Sequence, residues 1–297
     1  MDQCMTYQTG IIDEIPLLAR YQYYRLKPGA NAKAVLQELA DIAVEKNIVV
    51  GLGQSLILAM DAEVPNMRKM PEFSGKGIEI PTTPHALWCW IRGEDRGDLL
   101  HKARLIRNTL APAFVLDKVT DAFRYDKFRD LSGYEDGTEN PTGDDALEAA
   151  ISQSSEKGLN GSSFVAVQQW THDLDTFQSM SRQQQNHTFG RDQVSNEELD
   201  DAPESAHVKR TAQEDFEPEA FVIRRSMPWA NETEEGLVFV AFGKSFDAFE
   251  ALMHRMIGND DGIIDGLFSF TRPTTGSYFW CPPITDGKLD LSAVLIK

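Results

Sequence analysis

The feature that most limits what this chain can fold into is that strand-like and helix-like segments follow the same order twice. In the first half, residues 17–26 carry the aromatic run Tyr21-Gln22-Tyr23-Tyr24, which suits a strand. Residues 31–45 place Val35, Leu36, Leu39, Ile42 and Val44 mostly at helical spacing. A strand over 47–53 enters a glycine turn, and another is expected over 86–91. A helix over 95–109 carries Leu99, Leu100, Ala103 and Ile106, and a strand over 113–120 closes the unit. This βαββαβ order is that of a ferredoxin-like unit. The second half begins again with Phe164-Val165-Ala166-Val167 in a strand over 163–170, and helical material follows over 174–189. Strands over 220–225 and 236–242, a helix over 246–257 and a strand over 276–280 complete it. The expected fold is therefore α+β: duplicated ferredoxin-like units with two antiparallel sheets packed together, a dimeric α+β barrel type. The polar stretch 143–161 reads as the connection. It gives an N-terminal unit over 1–145, a linker over 146–160 and a C-terminal unit over 161–297.

Charge and composition exclude several functions. A net charge of −17 argues against nucleic acid and anionic membrane surfaces, which select basic patches, and favours neutral or cationic small molecules. No apolar stretch approaches the ~20 residues of a spanning helix. The start Met-Asp-Gln-Cys-Met-Thr-Tyr has no basic or apolar run of a signal peptide, so a cytoplasmic location is expected. Cys4, Cys89 and Cys281 are too scattered for a disulfide framework or a zinc site.

Chemistry concentrates in a few places. In residues 133–141, Gly-Tyr-Glu-Asp-Gly-Thr-Glu-Asn-Pro, two glycines let the backbone come close to a flat partner and Pro141 fixes the exit. Asp136 between them is a candidate proton shuttle, although the same residues also make ordinary surface turns. Burial would raise its pKa and a nearby arginine would lower it. Among the histidines, His101 and His254 fall on expected helices, His85 and His172 read as turn residues, and His187 lies in a glutamine-rich tract. His207, between an acidic stretch over 196–204 and the next segment, stands apart, yet alone it reads as structural. No histidine pair has metal-ligand spacing on a helix. Arg224 and Arg225 follow Phe221-Val222-Ile223, so strand alternation sends them to opposite faces, one inward and one to solvent. An inward guanidinium calls for a buried anionic partner.

Taken together and in order, these segments resemble the dye-decolorizing peroxidases, in particular their bacterial B-type branch. The resemblance is carried by residues 129–141, Gly190-Arg191, Ser205-Ala206-His207, Ile223-Arg224-Arg225-Ser226-Met227-Pro228, and 268–279. It implies haem b (iron protoporphyrin IX) with His207 as axial ligand to the iron. Asp265 would accept the other ring N–H, Asp136 and Arg224 would be the catalytic groups on the distal side, and Arg191 would meet a propionate. Gly137, Thr138 and Ser226 would line the cofactor. One departure is Gln169, where relatives usually carry Lys or Arg after Val-Gln.

The activity implied is reduction of hydrogen peroxide with oxidation of dyes, phenols or other small aromatic reductants. The same pocket would equally serve a haem-handling protein for storage, sensing or iron release, with incidental peroxidase activity. A cofactor-free α+β binder is the reading from another class. The resemblance further implies a homo-oligomer. Some relatives carry a tail that directs them into a shell compartment, whereas residues 289–297 here read as a terminal strand or docked tail. Glu139, beside the loop, reads as a solvated carboxylate rather than a metal ligand.

Overall fold

A computed structural model describes residues 6–295; Cys4 and the last two residues of the expected tail lie outside them. The first unit is β1 (Leu18–Leu26), α1 (Lys33–Glu45), β2 (Ile48–Leu52), the short α2 (Gln54–Ala59), a small hairpin of β3 (Phe73–Gly75) and β4 (Ile78–Ile80), β5 (Leu87–Gly93), α3 (Arg96–Leu110) and β6 (Phe114–Phe123). The βαββαβ order is present, with α2 and the hairpin inserted between the central strands. Helix α3 starts where Asp95 accepts the Gly97 and Asp98 N–H groups at 2.8 and 3.0 Å.

The stretch expected as a linker opens with a helix, α4 (Gly143–Ala150). Its small residues Ala146, Ala149 and Ala150 are buried, so an alanine stripe that sequence inspection passes over as polar connection packs into the core. The second unit continues through β7 (Ser163–His172), α5 (Leu174–Ser179), α6 (Arg182–Phe189), the one-turn α7 (His207–Arg210), β8 (Ile223–Arg224), β9 (Met227–Ala230), β10 (Glu235–Gly243), α8 (Asp247–Met256), β11 (Thr271–Pro273) and β12 (Ser277–Cys281). The tail forms a hairpin of β13 (Ile284–Thr285) and β14 (Lys288–Leu289) that docks on α1, with Lys288 Nζ 2.7 Å from Asp41. The strand expected over 220–225 shortens to β8, because Ala220 and Val222 spend their N–H groups on the Gln213 carbonyl and side chain instead.

Antiparallel pairing orders the strands β11-β7-β12-β2-β5-β1-β6-β9-β10-β8, and β7 also pairs with β10. The four strands of the first half and the six of the second thus lie face to face and meet at both edges through the single bridges Trp280↔Leu52 and Ala122↔Trp229. Alternation decides which side chains go inside. Tyr21, Trp88, Trp90, Phe242 and Phe279 stack between the sheets, all fully buried. The opposite faces of the strands carry α1 and α3 on one side and α8 on the other. Among the described residues no helix is long and apolar enough to cross a membrane.

Candidate functional site

A cavity of about 570 Å³ opens in the second half, outside its sheet. Its floor is Trp170 and His172 of β7 and Leu237 and Phe239 of β10, and its far wall is Phe249, Leu252, Met253 and Met256 of α8. These residues lie where strand and helix periodicities both point at the gap, so the walls are apolar by construction. The loop over 133–141 closes one end and α7 contributes His207.

His207 is held tightly. Its Nδ1 lies 2.7 Å from Asp265 Oδ2, and Asp265 is buried behind it with its other oxygen accepting the Leu267 N–H at 2.8 Å. A fully buried carboxylate accepting from Nδ1–H leaves Nε2 as the nitrogen with a free lone pair, and that atom has no hydrogen-bond partner among the described residues. A second contact fixes α7 as a body: Arg210 grips Asp261 through both terminal nitrogens at 2.8 and 2.9 Å.

The loop is rigid for reasons its sequence states. Gly133 and Gly137 take φ of +87° and +78°, which side-chain-bearing residues resist. Arg129 donates to the Gly133 carbonyl at 2.5 Å and to Glu135 at 3.1 Å, while the Asp136 N–H meets the Phe128 carbonyl at 2.9 Å. Asp136 is thereby presented to the cavity. Burial raises its pKa above the ordinary carboxyl range; Arg224 opposes this, Asp130 adds to it, and burial prevails.

Arg224 enters the cavity from β8, and its Nε is buried without a partner. Alternation does send Arg225 to the other face, but not to solvent. Arg225 turns to the interior end of the barrel, donates to the Ile12 carbonyl at 2.5 Å, and is pulled down to about 10 by burial and by neighbouring Arg92. The expectation of a solvated Arg225 is corrected by packing of the N-terminal segment, which strand periodicity cannot reveal.

Arg191 lines the cavity but is engaged with Glu139 at 2.5 Å, Glu198 at 2.6 Å and the Asn196 carbonyl at 2.9 Å. Gly137 and Thr138 are on the cavity wall, and Thr138 Oγ1 accepts from Asn196 at 3.2 Å. Ser226 is not on that wall; it is buried beside a small adjoining pocket that also touches Asp136. Gln169 faces the barrel interior, where its Oε1 accepts from Thr120 at 3.2 Å, so no basic side chain reaches the cavity from there.

Two groups escaped the sequence reading. His172, read as a turn residue, is buried on the cavity wall with Nε2 2.9 Å from Asp130 and Nδ1 2.6 Å from Thr271 Oγ1. Burial works against a charge on Asp130, but the bond and charge of His172 outweigh it and hold that carboxyl below its usual range. Its only sequence signal was the position of Asp130 just ahead of the glycine loop. The other is the pair of amides Asn140 and Gln213, which bond to the backbone at residues 224 and 222.

The family model described as Dyp-type peroxidase, C-terminal, matches residues 127–286. A dye-decolorizing peroxidase from Rhodococcus erythropolis is 33% identical over 218 residues, which are 71% of this chain and 64% of that relative's length. In three dimensions, a dye-decolorizing protein from V. cholerae superposes with a TM-score of 0.83 at 26% identity, covering 92% of this chain and 96% of the other. A DypB variant from Rhodococcus jostii RHA1, solved in complex with haem, gives 0.84 at 24% identity, with 92% and 94% covered, and shares the fold. A matching family model across more than half of the sequence, with a duplicated ferredoxin-like barrel beneath it, means that the chain belongs to the Dyp-type peroxidase family.

Proposed function

We propose that this chain is a haem-dependent peroxidase of the B-type branch, reducing hydrogen peroxide and oxidising small aromatic reductants. The observation that carries this reading is His207: an imidazole with one nitrogen bound to a buried carboxylate and the other with no protein partner among the described residues, in a cavity of apolar floor and far wall that Asp136 and Arg224 also line. The cavity volume of about 570 Å³ falls within the ~300–1,000 Å³ usual for cofactor sites. The buried, unpartnered Nε of Arg224 is a donor awaiting an anionic or oxygen ligand. The residues therefore fit a haem with His207 Nε2 on its iron and Arg191, once released from a glutamate, at a propionate. The peroxidase names of the relatives favour turnover over haem storage, sensing or iron release.

When bound, the haem iron would supply the site for peroxide and the electrons that its reduction consumes. The protein's share is positional and protonic. Asp265, by accepting from His207 Nδ1, keeps the ring oriented and makes Nε2 more electron-rich. Asp136 would take the proton from one peroxide oxygen and return it to the other, so that the departing oxygen leaves as water. The Arg224 guanidinium would hold the negative charge that develops as the O–O bond breaks. Two electrons and two protons, as two phenols release on oxidation to their radicals, complete the reduction of one peroxide to two waters.

Mixing purified protein with haem, then peroxide and a phenol, tests this. Turnover that falls roughly 10²–10⁴-fold in Asp136→Asn supports it; full activity in that variant at every pH overturns the role of Asp136. Assembly as a homo-oligomer in the cytoplasm, with shell-compartment cargo as the lesser option, belongs to the same proposal and is tested by sedimentation and fractionation.

A further inference from the structure

Asp136 and Arg224 belong to different segments, a loop and a strand; among the described residues neither side chain forms an ion pair, the Asp136 carboxyl is met by the Gly137 N–H, and the Arg224 Nε is buried without a partner. Arg224 is the more exposed to this problem. Its guanidinium inherits its place from its backbone, and that backbone lies in a strand of two residues at the edge of the sheet. On one side β8 is paired with β10 through Ala241↔Arg224 and Phe242↔Ile223. On the other side no strand follows, and an edge this short has little hold of its own.

Two side-chain amides occupy the place of the missing strand. Asn140 Oδ1 accepts the Arg224 N–H at 2.8 Å, and Asn140 Nδ2 donates to the Arg224 carbonyl at 3.0 Å. The amide thus reproduces both bonds that a neighbouring strand would make to that residue. Gln213, which is 3% exposed, ties the residues just before β8 to the loop: its Oε1 accepts the Val222 N–H at 2.9 Å and its Nε2 donates to the Glu139 carbonyl at 2.9 Å. Asn140 is itself part of the loop that presents Asp136, closing its turn with an N–H to the Gly137 carbonyl at 3.1 Å. A Cβ on Gly137 would stand 2.8 Å from Asn140 Nδ2, so the glycine also leaves room for the amide.

We propose that Asn140, backed by Gln213, is a positioning residue that fixes the separation of the Asp136 carboxyl from the Arg224 guanidinium. This rests on the peroxidase reading for its consequence, though not for its geometry. The charged and titratable groups acting on Asp136 are Arg224 from β8, Asp130 just ahead of its loop and His207 from α7. Of these, Asn140 touches the backbone of Arg224 alone. Letting Arg224 recede removes the strongest pull that keeps the Asp136 proton affinity down, so the acid side of the pH profile should move upward.

The test uses the full chain loaded with haem, as wild type, Asn140→Ala, Asn140→Asp and Gln213→Met. Hydrogen exchange by mass spectrometry over residues 220–226 reads the staple itself. Peroxide consumption against pH reads its effect on Asp136. Asn140→Ala should speed exchange at the Arg224 amide at least tenfold. It should also lower the peroxide rate roughly 10–100-fold, as expected for a misplaced catalytic group, and raise the midpoint of the profile. Asn140→Asp keeps the acceptor for the Arg224 N–H and should retain most of the protection there. Gln213→Met should speed exchange at Val222 and shift the midpoint in the same direction by less.

A purely structural role would lower the thermal midpoint while leaving the pH midpoint where it is in wild type, and that result overturns the proposal. If wild type itself consumes no peroxide, the functional reading fails separately. Exchange over 220–226 then decides alone whether the amides hold the strand, and unchanged exchange in Asn140→Ala rejects them.

Discussion

At the scale of single residues, the chemistry is set by which polar groups are given partners and which are left without. Asp265 spends both oxygens on His207 and Leu267, so Asp265→Asn would offer the imidazole a weaker or wrongly oriented partner. A loss of roughly 10–100-fold in haem affinity or peroxide rate is expected, read by haem titration and stopped-flow. Asp136 makes a second prediction with a definite sign. Its folded pKa is raised above the unfolded value, so the ionised carboxylate disfavours the fold at pH values above that folded pKa. The cost disappears as pH falls below the ordinary carboxyl range, where both states are protonated. Asp136→Asn should therefore raise the melting temperature of the haem-free chain by about 1–3 °C at neutral pH and leave it unchanged near pH 3. A melting temperature that falls at neutral pH would mean that Arg224, not burial, dominates the environment. Legibility is uneven at this scale. His207, Asp136 and Arg224 stood out through the family resemblance of the segments that carry them, and they line one cavity. His172 was not, since its partner Asp130 lies on another element and only the fold brings them to 2.9 Å.

Between elements, the site depends on how α6 ends against α7. Helix α6 opens with a reciprocal cap between Ser181 and Gln184 and stops at Gly190, which takes the left-handed conformation at φ +85°. A Cβ at Gly190 would collide with Val208 and lie 3.1 Å from Ala206, the two neighbours of His207. Gly190→Ala should cost about 1–2 kcal/mol from the strained φ alone, measured by denaturant unfolding. It should also weaken haem retention by displacing α7; an unaltered haem dissociation rate would uncouple the two helices. The regular strands and helices were legible because long apolar periodicities dictate them, as in α1, α3 and β10. The short elements were not: α4 hides behind small residues, α7 is a single turn, and β8 is defined by an asparagine side chain as much as by its own sequence.

For the whole molecule, duplication supplies two sheets that bury their aromatic faces on each other, and one half keeps its outer face for the cavity. The net charge of −17 and the carboxylates Glu135, Glu139, Glu198, Glu204, Glu214 and Asp215 on the cavity wall act together over the distance that salt allows, about 10 Å at 0.1 M. Cationic reductants should react faster than anionic ones of equal potential, and the advantage should shrink several-fold as ionic strength rises from about 0.01 to 0.5 M. Equal salt dependence for both charges would place electron transfer away from this face. The fold class was legible from the repeat of segments, whereas the closure of the sheets through single bridges at each edge was not, because only tertiary packing brings Leu52 to Trp280 and Ala122 to Trp229. The claim on which the rest depends is that the Nε2 of His207 holds a haem iron. Visible absorption of the haem-loaded chain, wild type beside His207→Ala, tests it most directly. An intense Soret band that responds to peroxide in wild type, and is lost or displaced in the variant and recovered with added imidazole, is the predicted result; identical spectra and identical peroxide responses in the two proteins would contradict it.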